Sequence, residues 1–169
     1  MKDLLLLRHA KSSWQDSELS DFERALNARG KRDATRIGKL ILEERLTPHY
    51  IISSSAVRTR STADIVSDKC QYKGKILFRR SLYGTRPQEY FNALQSLKDD
   101  YTRVLVVGHN PTIIDLIELL TGMAESIPTC TLAYIKLPVK KWKELQFESK
   151  YELVKIWRPK ELSNMRSQF

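Results

Sequence analysis

Arg8-His9, the run Ser54 to Arg58, and Gly108-His109-Asn110-Pro111 are three short polar stretches that stand directly behind apolar runs. Two arginines and two histidines brought to one place have a definite use. A guanidinium offers a planar fork that matches two phosphate oxygens at once. An uncharged imidazole is a nucleophile near neutral pH. The residue types therefore point to chemistry on a phosphoryl group. Each has a bland reading when taken singly: Arg8 as a surface charge closing a strand, His109 as a packing residue at a strand end. Only their joint placement favours a site.

That placement follows from the hydrophobic pattern. Leu4 to Leu7 is a short apolar run with an immediate polar stop, which suits a strand buried on both faces. The pattern recurs at Tyr50-Ile51-Ile52, Ile76-Leu77-Phe78 and Val104 to Val107. Between these runs lie helical spacings: Ala34, Ile37, Leu40 and Ile41 after Asn27; Thr62, Ile65 and Val66; Tyr90, Phe91, Leu94 and Leu97; Ile113, Leu116, Ile117 and Leu120. Strands alternating with helices predict an α/β fold, a three-layer α/β/α sandwich with a mostly parallel central sheet. Thr131 to Leu137 and Tyr151 to Trp157 are β-rich and read as strands added by the C-terminal part, antiparallel at the sheet edge. Ligands of such sheets sit beyond the carboxyl ends of the strands, where all three polar stretches fall. Arg58 lies near a helix start, whose free N–H groups favour an anion. Asn110 reads as an N-cap, with Pro111 in the first helical turn.

A chain of 169 residues suits one domain over 1–169 and buries enough surface to need no staple. Lys and Arg number 29 against 20 Asp and Glu, a net charge of +9, which attracts anionic partners without choosing among them. Lys31-Arg32 and Lys140-Lys141 are interspersed with acids and carry no RNA-binding signature, so a solvated face is expected, with no nucleic-acid partner. The opening apolar run ends at Arg8, too short for a signal peptide, and no segment suits a membrane. Cys70 and Cys130 stand alone, without metal spacing, so no metal site is expected and a reducing cytoplasm fits. His49 matches no motif and reads as structural. Trp14, Trp142 and Trp157 read first as packing residues, Trp14 alone being close enough to the first motif to reach a site mouth.

The runs LLLLRHAKSSW, SSSAVRTRSTA and RVLVVGHNP, in this order, resemble the histidine phosphatase superfamily, the phosphoglycerate-mutase-like group. The sequence is most similar to its SixA-type phosphohistidine phosphatases, which carry alanine after RH. The likeness extends through DFERALNARGKRDA and WRPKEL, departing at Ala25, where many members have proline. The resemblance implies that His9 becomes phosphorylated, that Arg8 and Arg58 clamp the phosphoryl oxygens, and that His109 donates to one of them. Ser12 falls where relatives often place a further phosphate contact. It also implies no cofactor and a metal-independent enzyme, since arginines take the place of the divalent cation common in phosphoryl transfer.

Many members that cleave alkyl esters carry a carboxylic acid behind the third strand or helix. Here Ser81 to Arg86 holds none, and Glu89 lies inside the next helix pattern. A general acid contributes about 10²- to 10⁴-fold, so a site without one prefers leaving groups that depart easily. Phosphohistidine on a partner protein is then the expected substrate, met by a monomer. The alternative is a phosphatase of small phosphomonoesters with an acid from Asp16, Glu18, Asp21 or Glu23. A catalytically silent phosphate- or nucleic-acid-binding module is the third reading.

Overall fold

The computed structural model describes residues 1–166, so the last three residues of the expected domain lie outside it. Six strands, β1 (Lys2–Arg8), β2 (Tyr50–Ser54), β3 (Ile76–Arg79), β4 (Arg103–Gly108), β5 (Leu132–Leu137) and β6 (Glu152–Trp157), form one sheet in the order β3-β2-β4-β1-β5-β6. Pairings among β3, β2, β4 and β1 are parallel, whereas β5 pairs antiparallel with both β1 and β6. The tail thus extends the sheet at one edge, with β5 the strand of opposite direction.

Leu4 to Leu7 are all fully buried because consecutive side chains on β1 enter different cores. Leu4 and Leu6 join Val104, Val106 and Ile52 beneath helices α3 (Pro87–Gln95) and α4 (Thr112–Thr121). Leu5 and Leu7 join Leu105, Val107 and Ile51 beneath α1 (Ala28–Glu43) and α2 (Val57–Lys69). Leu162 of α5 (Pro159–Arg166), a helix that the hydrophobic spacing did not signal, packs against this second core. Trp142 and Trp157 are buried, as packing residues should be, and both cysteines are buried and free. His49 accepts the backbone N–H of Arg103 at Nδ1 (3.1 Å), closing a loop.

The helices following β1 and β4 cover opposite faces although those two strands are neighbours. Their carboxyl ends are therefore the switch point at which ligands of open α/β sheets bind. The chain ends there fit closely: a Cβ on Gly30 of α1 would meet the Lys11 carbonyl oxygen, two residues beyond His9, at 2.1 Å. Only glycine allows this approach of helix to loop. Asn27 caps that helix by accepting from the Gly30 N–H (2.8 Å).

Candidate active site

His9 follows the last residue of β1, and its backbone N–H donates to the Gly108 carbonyl of β4 (3.0 Å). Its ring is buried, and Nδ1 lies 2.8 Å from the Ala10 carbonyl. A carbonyl only accepts, so Nδ1 carries the proton and the lone pair of the neutral ring is on Nε2. Burial first, then the neighbouring His109, Arg58 and Arg8 charges, push the His9 pKa down to about 3 against the Ala10 bond. The imidazole is therefore neutral at physiological pH, with its Nε2 lone pair turned to Arg58.

Arg58 sits one residue into α2, buried, with Nε aimed at His9 Nε2 (3.4 Å). The His109 ring lies 5.3 Å from the His9 ring, centroid to centroid. His109 is held neutral too, its pKa lowered to about 4 by burial and by Arg58. Its Nε2 meets Ser54 Oγ at 2.8 Å, whereas Nδ1 is buried without a partner. With the Ser54 hydroxyl donating to Nε2, His109 Nδ1–H is a free donor. Arg8 Nη1 donates to the Ile127 carbonyl (3.0 Å), and its Nε is likewise buried and unpartnered. Burial and Arg58 lower the Arg8 pKa. Two buried donors that no protein acceptor takes, beside two guanidinium groups, suit an anion.

Asn110 does not cap α4. Pro111 takes the cap position, without a side-chain bond, and Asn110 Nδ2 donates to the Ile127 carbonyl (2.8 Å). That carbonyl also takes Arg8, so the amide serves the loop behind the site rather than the helix. Ser12 is buried and accepts from Arg24 Nη1 (2.8 Å), an arginine that bonds Asp21 rather than any of the four central residues. Trp14 is exposed, with the Arg24 guanidinium 3.4 Å from its ring centroid.

Of the candidate acids, Asp16, Glu18 and Glu23 are exposed on the loop, and Glu89 is exposed on the first turn of α3. Asp21 alone among these bonds to a central residue. Its carboxylate accepts from Tyr83 Oη (2.7 Å), Arg58 Nη2 (3.0 Å) and Arg24 Nε (3.2 Å). The Tyr83 bond first, with Arg58 and Arg24, holds its pKa at about 2, against partial burial. Asp21 is ionised and has no proton to give.

The sequence pattern left Ser54, Thr62, Tyr83 and Tyr90 without roles. Thr62 Oγ1 donates to the Arg58 carbonyl (2.6 Å) and accepts from Ala10 N–H (3.0 Å), tying the His9 loop to α2. Tyr90 Oη donates to the Leu82 carbonyl (2.8 Å) and accepts from His109 N–H (3.3 Å). Buried hydroxyls within apolar helix stripes were the available signal, since each must find partners.

The α/β sandwich thus gathers two histidines and two arginines beyond the carboxyl ends of its parallel strands. The model of the histidine phosphatase superfamily (branch 1) matches residues 4–79. The chain is 30% identical over 152 residues to an uncharacterized chloroplastic protein of Arabidopsis thaliana, covering 83% of this chain and 69% of that one. A solved structure named as a candidate phosphohistidine phosphatase SixA from Agrobacterium tumefaciens superposes with a TM-score of 0.80 at 27% identity, over 94% of this chain and 98% of that one. Its counterpart from Nakamurella multipartitia gives 0.79 at 25% identity, over 94% and 96%. The chain belongs to the histidine phosphatase superfamily.

Proposed function

We propose that the chain is a metal-independent phosphohistidine phosphatase in which His9 carries the phosphoryl group between two displacements. The observation that carries this reading is the state of His9: neutral, pinned at Nδ1, and presenting Nε2 to Arg58 at 3.4 Å. Nε2 attacks phosphorus in line, a P–N bond forms, and the bond to the leaving group breaks with its electron pair. Water then attacks, the P–N bond to His9 breaks, and phosphate leaves. Arg8, Arg58 and His109 Nδ1–H stabilise the charge on the equatorial oxygens, each such donor being worth about 3 kcal/mol in the transition state.

The state of Asp21 supports phosphohistidine as the substrate. The carboxylate bonded to Arg58 is ionised and holds Tyr83, Arg58 and Arg24, so a basic alkoxide would find no proton there. Phosphohistidine with its second ring nitrogen protonated releases neutral imidazole and needs no acid. Its first step exchanges one P–N bond for another, so little energy separates the two sides. The likeness to structures named for SixA agrees with this. The positive surplus steers an acidic phosphoprotein toward the single domain, acting as a monomer.

The test is a panel of a phosphohistidine peptide, aryl phosphates of graded leaving-group basicity, and glycerol phosphate, run with and without chelator. Expected are a steep fall of kcat/KM with leaving-group basicity, no chelator effect, and acid-labile phosphate on wild-type enzyme that is absent from His9→Ala. Equal kcat/KM for glycerol phosphate and the phosphohistidine peptide overturns the substrate class. Turnover by His9→Ala at the wild-type rate overturns the mechanism, and no turnover of any compound returns the chain to a silent binding module.

A further inference from the structure

We infer that Asp21, held by Tyr83, is a positioning residue that sets which edge of the Arg58 guanidinium faces the reacting phosphoryl group. The inference rests on the reading of His9 as the nucleophile. A guanidinium has two bidentate edges: the end, formed by Nη1 and Nη2, and the side, formed by Nε and Nη2. Asp21 takes the end. Arg58 Nη1 donates to its backbone carbonyl (2.6 Å) and Nη2 to its Oδ2 (3.0 Å). The side edge is thereby turned to His9, with Nε directed at His9 Nε2. Because the group is planar, the second Nη2–H runs parallel to Nε–H. Two parallel donors then face the two oxygens of a phosphoryl group on Nε2.

Asp21 is itself fixed by two further donors. Tyr83, in the loop behind β3, donates to Oδ2 (2.7 Å) and Arg24 Nε donates to Oδ1 (3.2 Å). The Phe22 ring stands edge-on to Tyr83, with centroids 5.0 Å apart, and the Arg80 guanidinium lies 4.1 Å from the Phe22 ring centroid. The Tyr83 ring also stands edge-on to His109, 5.4 Å between centroids. Two loops from different strands thus meet at one carboxylate, whose charge offsets part of the repulsion between Arg58 and Arg8. Without the Asp21 carboxylate, the head of Arg58 loses the Nη2 bond that fixes its plane and keeps only Nη1 on the backbone carbonyl of position 21 and the long contact to His9. Misplacement of a reacting group by about 1 Å costs on the order of 10²-fold in rate.

The opposite role for the same contact is competition, in which the carboxylate occupies Arg58 and must be displaced by substrate. The edges decide between them, because Asp21 holds the end and leaves the side turned to His9, where the phosphoryl group would sit. The experiment measures kcat, KM and vanadate inhibition with 4-nitrophenyl phosphate for wild type, Asp21→Ala, Arg58→Ala and the double variant, with Asp21→Asn and Tyr83→Phe alongside. Asp21→Ala should lower kcat by about 10- to 100-fold, weaken vanadate inhibition in parallel, and change KM far less. In the Arg58→Ala background the same substitution should cost less than about threefold, since the group it positions is gone. Asp21→Asn, which keeps an oxygen for Arg58, should recover part of the rate, and Tyr83→Phe should fall between wild type and Asp21→Ala.

A higher rate or tighter vanadate inhibition in Asp21→Ala makes the carboxylate a competitor and overturns the inference. Additive losses in the double variant overturn it as well, placing the effect of Asp21 outside Arg58. If Asp21→Ala does not fold, Asp21→Asn and Tyr83→Phe carry the same comparison against Arg58→Ala. Failure of the underlying reading has a separate signature, turnover that survives loss of His9.

Discussion

His9 is kept neutral by burial, and this has a measurable cost to the fold. The folded chain holds His9 unprotonated down to about pH 3. An unfolded histidine takes its proton near pH 6.5. Throughout that window the unfolded state binds more protons, so His9 leaves the fold fully stable above about 6.5 and destabilises it increasingly as pH falls toward 3. At about pH 5 an unfolded histidine is favoured in its protonated form by about 30-fold, which is about 2 kcal/mol of stability lost relative to about pH 7.5. The loss is set by the unfolded chain while the folded ring remains neutral, so it does not depend on the exact folded pKa. His9→Asn retains an amide donor for the Ala10 carbonyl but cannot titrate. Urea denaturation of wild type and variant at the two pH values isolates the effect, because His49, the buried His109 and the carboxylates are common to both. The variant should lose about 2 kcal/mol less than wild type between about pH 7.5 and about pH 5, while being inactive. Equal losses in the two proteins would mean that His9 titrates in the fold as it does in the unfolded chain, and the account of a nucleophile kept neutral by burial would be refuted.

Arg58→Ala and Arg8→Ala should each lower kcat/KM by about 10²-fold or more, with lysine restoring little because it lacks the fork; near-wild-type kinetics in Arg58→Lys would show that position 58 supplies charge alone. His109→Ala, which removes a free Nδ1 donor, should reduce kcat by about 10² with a smaller change in phosphate binding, checked by steady-state kinetics and product inhibition. Gly108→Ala should disturb the site from behind, since its Cβ would stand 2.2 Å from the Tyr90 hydroxyl that meets His109 N–H. A loss of about 1 to 3 kcal/mol in denaturation, with lowered kcat, is expected, and an unchanged protein would show that Tyr90 shifts freely.

Alternation of short apolar runs with helical spacing was enough to predict the parallel part of the sheet, and the polar stops behind Leu7, Ile52 and Val107 marked its functional end. These are local properties, since a strand buried on both faces must be apolar throughout and must end where it meets water. The residue types at those stops were legible for the same reason. Neither Asn110 nor Asp21 could be read in this way. Asn110 suits a cap by type, yet the Ile127 carbonyl, 17 positions away, claims its amide. Asp21 is one of four acids in a polar loop, and nothing in its neighbours along the chain separates it from Asp16, Glu18 or Glu23. Arg58 lies 37 positions away and Tyr83 lies 62, so only the folding of three strand ends toward one point makes that carboxylate an ionised anchor. The low pKa values of His9 and His109 arise likewise, from burial and from charges contributed by distant segments. Sequence alone determined which chemical groups stand at the strand ends. Tertiary packing decided their protonation and their partners, because desolvation and hydrogen bonding depend on distance in space and not on position along the chain.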